Sequence, residues 1–228
     1  MLNKSATRAA TGSADFTCKL WDALSGAELH SWSHNHIVRG VHFSMVSDKL
    51  ATACHDKCIR IFDTAQPDKE CVKFAGMRDA PRAAKLVDRD SCILLSYLSS
   101  SGLDVLDTRS GKIARSVPTS APVTSMNISY DGQQVTTASA STVSVYDTKG
   151  MKLLGSLDAE QQVESASLDL SKGLLAVGGQ DMWAYVLEWP TGKPVQVQNR
   201  CSFMSACSIL PHVPMIKIAA IMHMCLCH

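Results

Sequence analysis

An all-β fold built from copies of one four-stranded unit is what the sequence predicts, on three observations. An aromatic or aliphatic residue followed by an acid recurs at Trp21-Asp22, Phe62-Asp63, Leu106-Asp107, Tyr146-Asp147 and Leu187-Glu188, with successive acids 41, 44, 40 and 41 residues apart. Between these steps lie short runs that alternate apolar and polar residues, the pattern of a half-buried strand, and no helical period interrupts them. Gly-containing turns punctuate the runs: Asp-x-x-Ser-Gly at 22–26 and 107–111, with a variant at 188–192.

A period of roughly 40–45 residues with this signature is that of the propeller blade of the WD40 type. The stretch 11–22, TGSADFTCKLWD, is its clearest copy: a strand, a tight turn over 12–15, and a second strand ending on Trp-Asp. Inner strands are predicted at 37–44, 123–129 and 163–169, second strands at 49–53, 134–138 and 174–178, and third strands at 59–62, 143–146 and 184–187. Outer strands follow the Gly turns at 28–32 and 112–117. Met1 falls at the tail of a first strand, and 204–210 in an inner-strand position. Residues 1–210 therefore read as a propeller, and 211–228 as a tail outside the pattern. At ~41 residues per blade the chain holds about five and a half units, where a seven-bladed ring needs roughly 290 residues. The expectation is five to six blades, an incomplete or open propeller whose unpaired edge strands invite pairing.

Composition narrows the function classes. Lys plus Arg is 22 against 21 acids, a formal charge of +1, which supplies no basic field for nucleic acid. No run approaches the ~20 apolar residues of a membrane span. The nine cysteines are odd in number and mostly single, which reads as reduced thiols in cytoplasm or nucleus. Residues 1–14 are rich in Ser, Thr and Ala with no acid, as in transit peptides, but 4–15 aligns with later strand–turn segments and reads as structure.

Segments 2–44, 59–63, 103–113, 136–147 and 163–186 together resemble the serine/threonine kinase receptor-associated protein family, over about 2–200 and most weakly from 64 to 102. The resemblance implies a seven-bladed, non-catalytic scaffold without cofactor. It also implies protein partners: the survival-of-motor-neuron complex that assembles spliceosomal ribonucleoproteins, and receptor kinases of the transforming-growth-factor-β type. The chain departs from the family in lacking a last blade and an acidic tail. The WD40 subunit of translation initiation factor three is the nearest rival, and a propeller enzyme a more distant one.

WD40 blades are often tied by a hydrogen-bond chain of loop His, second-strand Ser/Thr, turn Asp and third-strand Trp, types suited to a buried relay. Thr11, Asp15 and Trp21 supply three members in the first unit. His34, Thr52 and Asp56 supply three in the next, with Phe62 in place of the Trp. Met77 takes the His position of the third unit, where Ser96 is the expected Ser/Thr. In the last, Val177 leaves Asp181 without one. Register favours this structural reading of His34 and Asp56 over a catalytic dyad. Cys54-His55-Asp56-Lys57-Cys58 has soft ligands but no second pair to complete a zinc tetrahedron. No metal site is expected, nor any nucleophile elbow, P-loop or HExxH. Arg39, Ser125 and Ser165 read as channel lining. Surface recognition by rim loops remains, with Phe16, Asn35, His36, Lys57, Arg78 and Met182 as partner-binding candidates.

Overall fold

A computed structural model describes residues 1–198, apart from Ser47, Glu160 and Met182. Every regular element among them is a β-strand. The first sheet holds β1 (Arg8–Gly12), β2 (Thr17–Asp22) and β3 (Glu28–Ser33). The second holds β4 (Val38–Phe43), β5 (Lys49–Cys54), β6 (Cys58–Asp63) and β7 (Val72–Phe74). The third holds β8 (Pro81–Val87), β9 (Cys92–Tyr97), β10 (Leu103–Asp107) and β11 (Ile113–Val117). The fourth is β12 (Val123–Ile128), β13 (Gln134–Ser139), β14 (Thr142–Asp147) and β15 (Leu153–Asp158). The fifth is β16 (Val163–Asp169), β17 (Leu174–Gly179), β18 (Ala184–Glu188) and β19 (Pro194–Gln198). Each is an antiparallel meander in chain order, the WD40 blade predicted from the period. Met1 and Leu2 lie where the inner strand of the first sheet would end, with a bridge from Leu2 to Ala9. The positions 204–210 and 211–228 lie outside the described residues.

Local chemistry explains why the first, third and fifth units close alike. After the aromatic–acid step the chain turns on a left-handed glycine, Gly26, Gly111 or Gly192, with φ of 71°, 67° and 72°. A side chain there would be strained. The glycine N–H reaches back to the acid's carbonyl at 2.8–2.9 Å, and the pairing of third and outer strands bulges at the residue before the acid, as at Leu20/Trp21 and Val105/Leu106.

The chain divides into two compact units, 1–123 with 148–151, and 124–147 with 152 onward. In the first, β5 and β6 of the second sheet are packed on both faces. Its Leu50 and Phe62 join Ala10, Cys18, Leu20 and Trp32 in one core. Its Ala51, Ala53, Ile59 and Ile61 join Ala84, Leu86, Ile93 and Leu95 in another. Inner strands approach closely: a Cβ on Gly40 would stand 2.9 Å from the Arg82 carbonyl oxygen. Arg8 Nη1 ties the first two sheets by donating to the Thr64 carbonyl at 2.8 Å. In the second unit Val143, Val145, Val163, Leu168 and Leu175 form the core.

Candidate functional site: the turn rim and its clasps

In an antiparallel meander the turn between second and third strands lies at the same end as the loop to the next sheet. In the first unit this end is one continuous rim, knit by backbone bonds. His34 N donates to Phe16 O at 2.8 Å, His55 N to Ile37 O at 2.9 Å, and Met77 N to Lys57 O at 3.2 Å. Along it runs a row of rings. Phe16 is 42% exposed, is held at φ 70°, and stands 5.3 Å from the His36 ring, which lies 4.5 Å from His55. Asn35 and Lys57 flank the row and are exposed. Lys57 is also left-handed, at φ 60°.

Beneath the rim sit the clasps. In the second sheet His34 is buried, with Nδ1 3.3 Å from the Trp32 carbonyl and Nε2 3.0 Å from Thr52 Oγ1. A carbonyl only accepts, so the Nδ1 bond puts the ring proton there and makes Nε2 the acceptor for the Thr52 hydroxyl. Burial, then the Arg60 charge, push the His34 pKa down, which keeps that neutral form. Phe62 meets the imidazole edge-on at 5.6 Å and stacks on Trp32 at 4.6 Å. Asp56 pairs with Arg60, Oδ2 to Nη2 at 2.6 Å, and accepts from Cys58 N at 3.1 Å. Burial opposes its charge, but the Arg60 hydrogen bond wins and lowers the pKa to about 2.

In the first sheet Trp21 Nε1 donates to Thr11 Oγ1 at 2.9 Å. Asp15 Oδ1 serves its own turn, accepting from Thr17 N at 2.9 Å and Thr17 Oγ1 at 2.6 Å. The turn acid of the fifth sheet is likewise met from the third strand, Tyr185 Oη donating to Asp181 Oδ2 at 2.6 Å.

The third sheet corrects the Ser96 expectation. Leu95 pairs with Ala84 and Asp104, as Thr52 pairs with Val41 and Arg60, so Leu95 holds the Thr position and Ser96 faces the other way. The polar clasp here is built from Asp104, buried on β10. Its Oδ2 accepts from Tyr97 Oη at 2.7 Å and faces Arg78 Nε at 2.9 Å, and its Oδ1 accepts from Ser116 Oγ at 2.6 Å. The Arg78 guanidinium also covers the Tyr97 ring at 4.5 Å and donates to Ser101 O at 2.9 Å. Arg78 is thus on the rim but anchored within it, its side chain 44% exposed.

The rim therefore brings together Phe16, Asn35, His36, Lys57 and Arg78; Met182 lies outside the described residues. Sequence reasoning missed His55 as a ring of the row, and Asp104. His55 sits one residue from the turn acid Asp56, a position that the repeat register could have flagged. Among the described residues no group of three or more His, Cys, Asp or Glu is placed to hold a metal ion, and no helix is long and apolar enough to cross a membrane.

Four-stranded meanders on a repeated register, with a loop-histidine clasp, define a WD40-repeat protein of the β-propeller class. The WD domain, G-beta repeat model matches residues 2–22, 26–63 and 111–147. The chain is 32% identical over 195 residues to the chicken (Gallus gallus) serine-threonine kinase receptor-associated protein, covering 86% of this chain and 55% of the relative. Its counterpart in Dictyostelium discoideum is 30% identical over 197 residues, covering 86% of this chain and 67% of the relative. The Bombyx mori eukaryotic translation initiation factor 3 subunit I is less similar, 27% over 184 residues. The chain belongs to the serine-threonine kinase receptor-associated protein family, whose members it matches through WD40 repeats. It spans about half the length of the vertebrate relatives it matches.

Proposed function

We propose that this chain is a non-catalytic adaptor, working without cofactor or small-molecule substrate, whose turn rim docks proteins of ribonucleoprotein assembly and receptor-kinase signalling. The observation that carries the reading is the continuous rim, on which an exposed Phe16 and exposed Asn35, Lys57 and Arg78 crown a row of rings. Aromatic and Arg anchors on a rigid scaffold are what interface cores favour. The clasp residues Thr11, Asp15, Trp21, His34, Thr52 and Asp56 serve to hold that rim in place rather than to do chemistry. Partners are sought in cytoplasm and nucleus, in keeping with a balanced charge that offers nucleic acid little.

Affinity capture of the tagged chain with mass spectrometry tests this. Survival-of-motor-neuron components or receptor kinases should co-purify, and a Phe16→Ala, Lys57→Ala double variant should lose them. Co-purification of initiation-factor subunits instead would favour the second reading, which rests on the weaker likeness to subunit I. Hydrolase turnover abolished by His34→Ala would replace both with an enzyme.

A further inference from the structure

Two cysteines close the turn that carries His55 and Lys57. In the register of β5 and β6, Cys54 stands directly opposite Cys58, so both side chains leave the sheet on one face. Of the cysteines among the described residues, only these two are paired across a ladder with each other; Cys18 opposes Gly12 and Trp32, and Cys92 opposes Asp107 and Val87. Both are free thiols. Cys54 Sγ donates to the His36 carbonyl at 3.2 Å, and Cys58 Sγ to the Asp56 carbonyl at 3.5 Å.

We propose that Cys54 and Cys58 are a reversible thiol–disulfide pair at the base of the rim, a modification site for hydroperoxide-class oxidants. One thiol, as thiolate, attacks the peroxide oxygen and becomes a sulfenic acid as water (from hydrogen peroxide) or the alcohol (from an organic hydroperoxide) leaves with the proton. The other thiol then attacks that sulfur, forming the S–S bond and releasing the sulfenic oxygen as water. Peroxide is reduced by two electrons, and the two thiols are oxidised by two.

Geometry sets the character of the bond. Directly opposed Cβ atoms lie about 4.5–5.5 Å apart in an antiparallel pair, whereas a relaxed disulfide wants about 3.5–4.5 Å. The hairpin must tighten to close the bond, and a strained disulfide is the easily reduced, regulatory kind rather than a staple. Burial pushes both thiols up in pKa, the Asp56 charge adding to it, so oxidation is slow. Closure also removes the proton that Cys54 gives to the His36 carbonyl. The ring row is thereby coupled to thiol state, whatever partner docks on it.

The test uses the whole chain, treated with hydrogen peroxide, alkylated and digested with trypsin without reduction. Cleavage after Lys49, Lys57 and Arg60 leaves the cysteines on separate peptides, 50–57 and 58–60, so the bond appears as a linked pair. The expected result is that linked pair, lost on adding dithiothreitol and absent in Cys58→Ser, together with shifted imidazole resonances of His36 and His55. Recovery of both cysteines as alkylated thiols while Cys71 or Cys92 oxidises would overturn the proposal. So would linkage of either to another cysteine, or a linked pair that leaves both imidazoles unmoved.

Discussion

The second and third sheets solve one problem with opposite polarity. Each must fix its third strand and the loop that enters it. The second does so with a turn acid, Asp56, facing a third-strand base, Arg60, beside a neutral histidine–threonine bond. The third puts the acid on the third strand, Asp104, and takes its base from the entering loop, Arg78. Register survives while residue types invert. What the blade conserves is a connection between elements, and several chemistries can make it.

The largest effect that separates the two sheets is expected at Asp104. Asp104→Ala strips the acceptor from Tyr97, Ser116 and Arg78, and breaking a buried pair by removing one partner costs about 3 kcal/mol. Urea unfolding should read that loss, with Arg78→Ala costing less because its side chain is half exposed. Next comes Asp56. Its pKa lies below the ordinary 3.8, at about 2, so its contribution is fully present above pH ~4 and fades as pH falls towards 2. Over that window wild type should lose about 2 kcal/mol that Asp56→Asn does not; parallel curves would deny the ion pair. Thr52→Val leaves the buried His34 Nε2 without its donor and should cost about 1–2 kcal/mol in the same assay. Trp21→Phe, which removes one bond to the exposed Thr11, should cost below about 1 kcal/mol. Smallest is Phe16→Gly. It relieves a left-handed φ worth of order 1 kcal/mol while losing the ring contact, so thermal unfolding should barely move.

The same contrast explains what could be read in advance. Strand alternation and the aromatic–acid step placed the first three strands of sheets two, four and five, and the outer strand of sheet one, to within a residue or two, because side-chain period and turn chemistry are local; the outer strands β7, β15 and β19 were not named. Predicted 163–169 and observed β16 coincide. In the third sheet the Leu106-Asp107 step and the outer strand 112–117 were placed, β11 being Ile113–Val117. Its first two strands escaped because the clasp chemistry there is inverted, and the repeat model likewise passes over 64–110. Ser96 was misplaced for a simpler reason. The turn from β9 to β10 spans 98–102, where the second sheet uses only 55–57, so counting back from the middle of the longer turn lands one residue late. Which side chains meet on the rim, such as His36 on His55, depends on contacts between successive sheets that no local pattern encodes.

Strands packed on both faces have no margin for independent drift. Because β5 and β6 send alternate residues into two separate interiors, a change of volume at Ile59 must be answered by residues of β8 and β9, and one at Phe62 by Trp32. The second sheet thus couples the substitution histories of its neighbours, and across relatives its alternate positions should co-vary in two distinct directions.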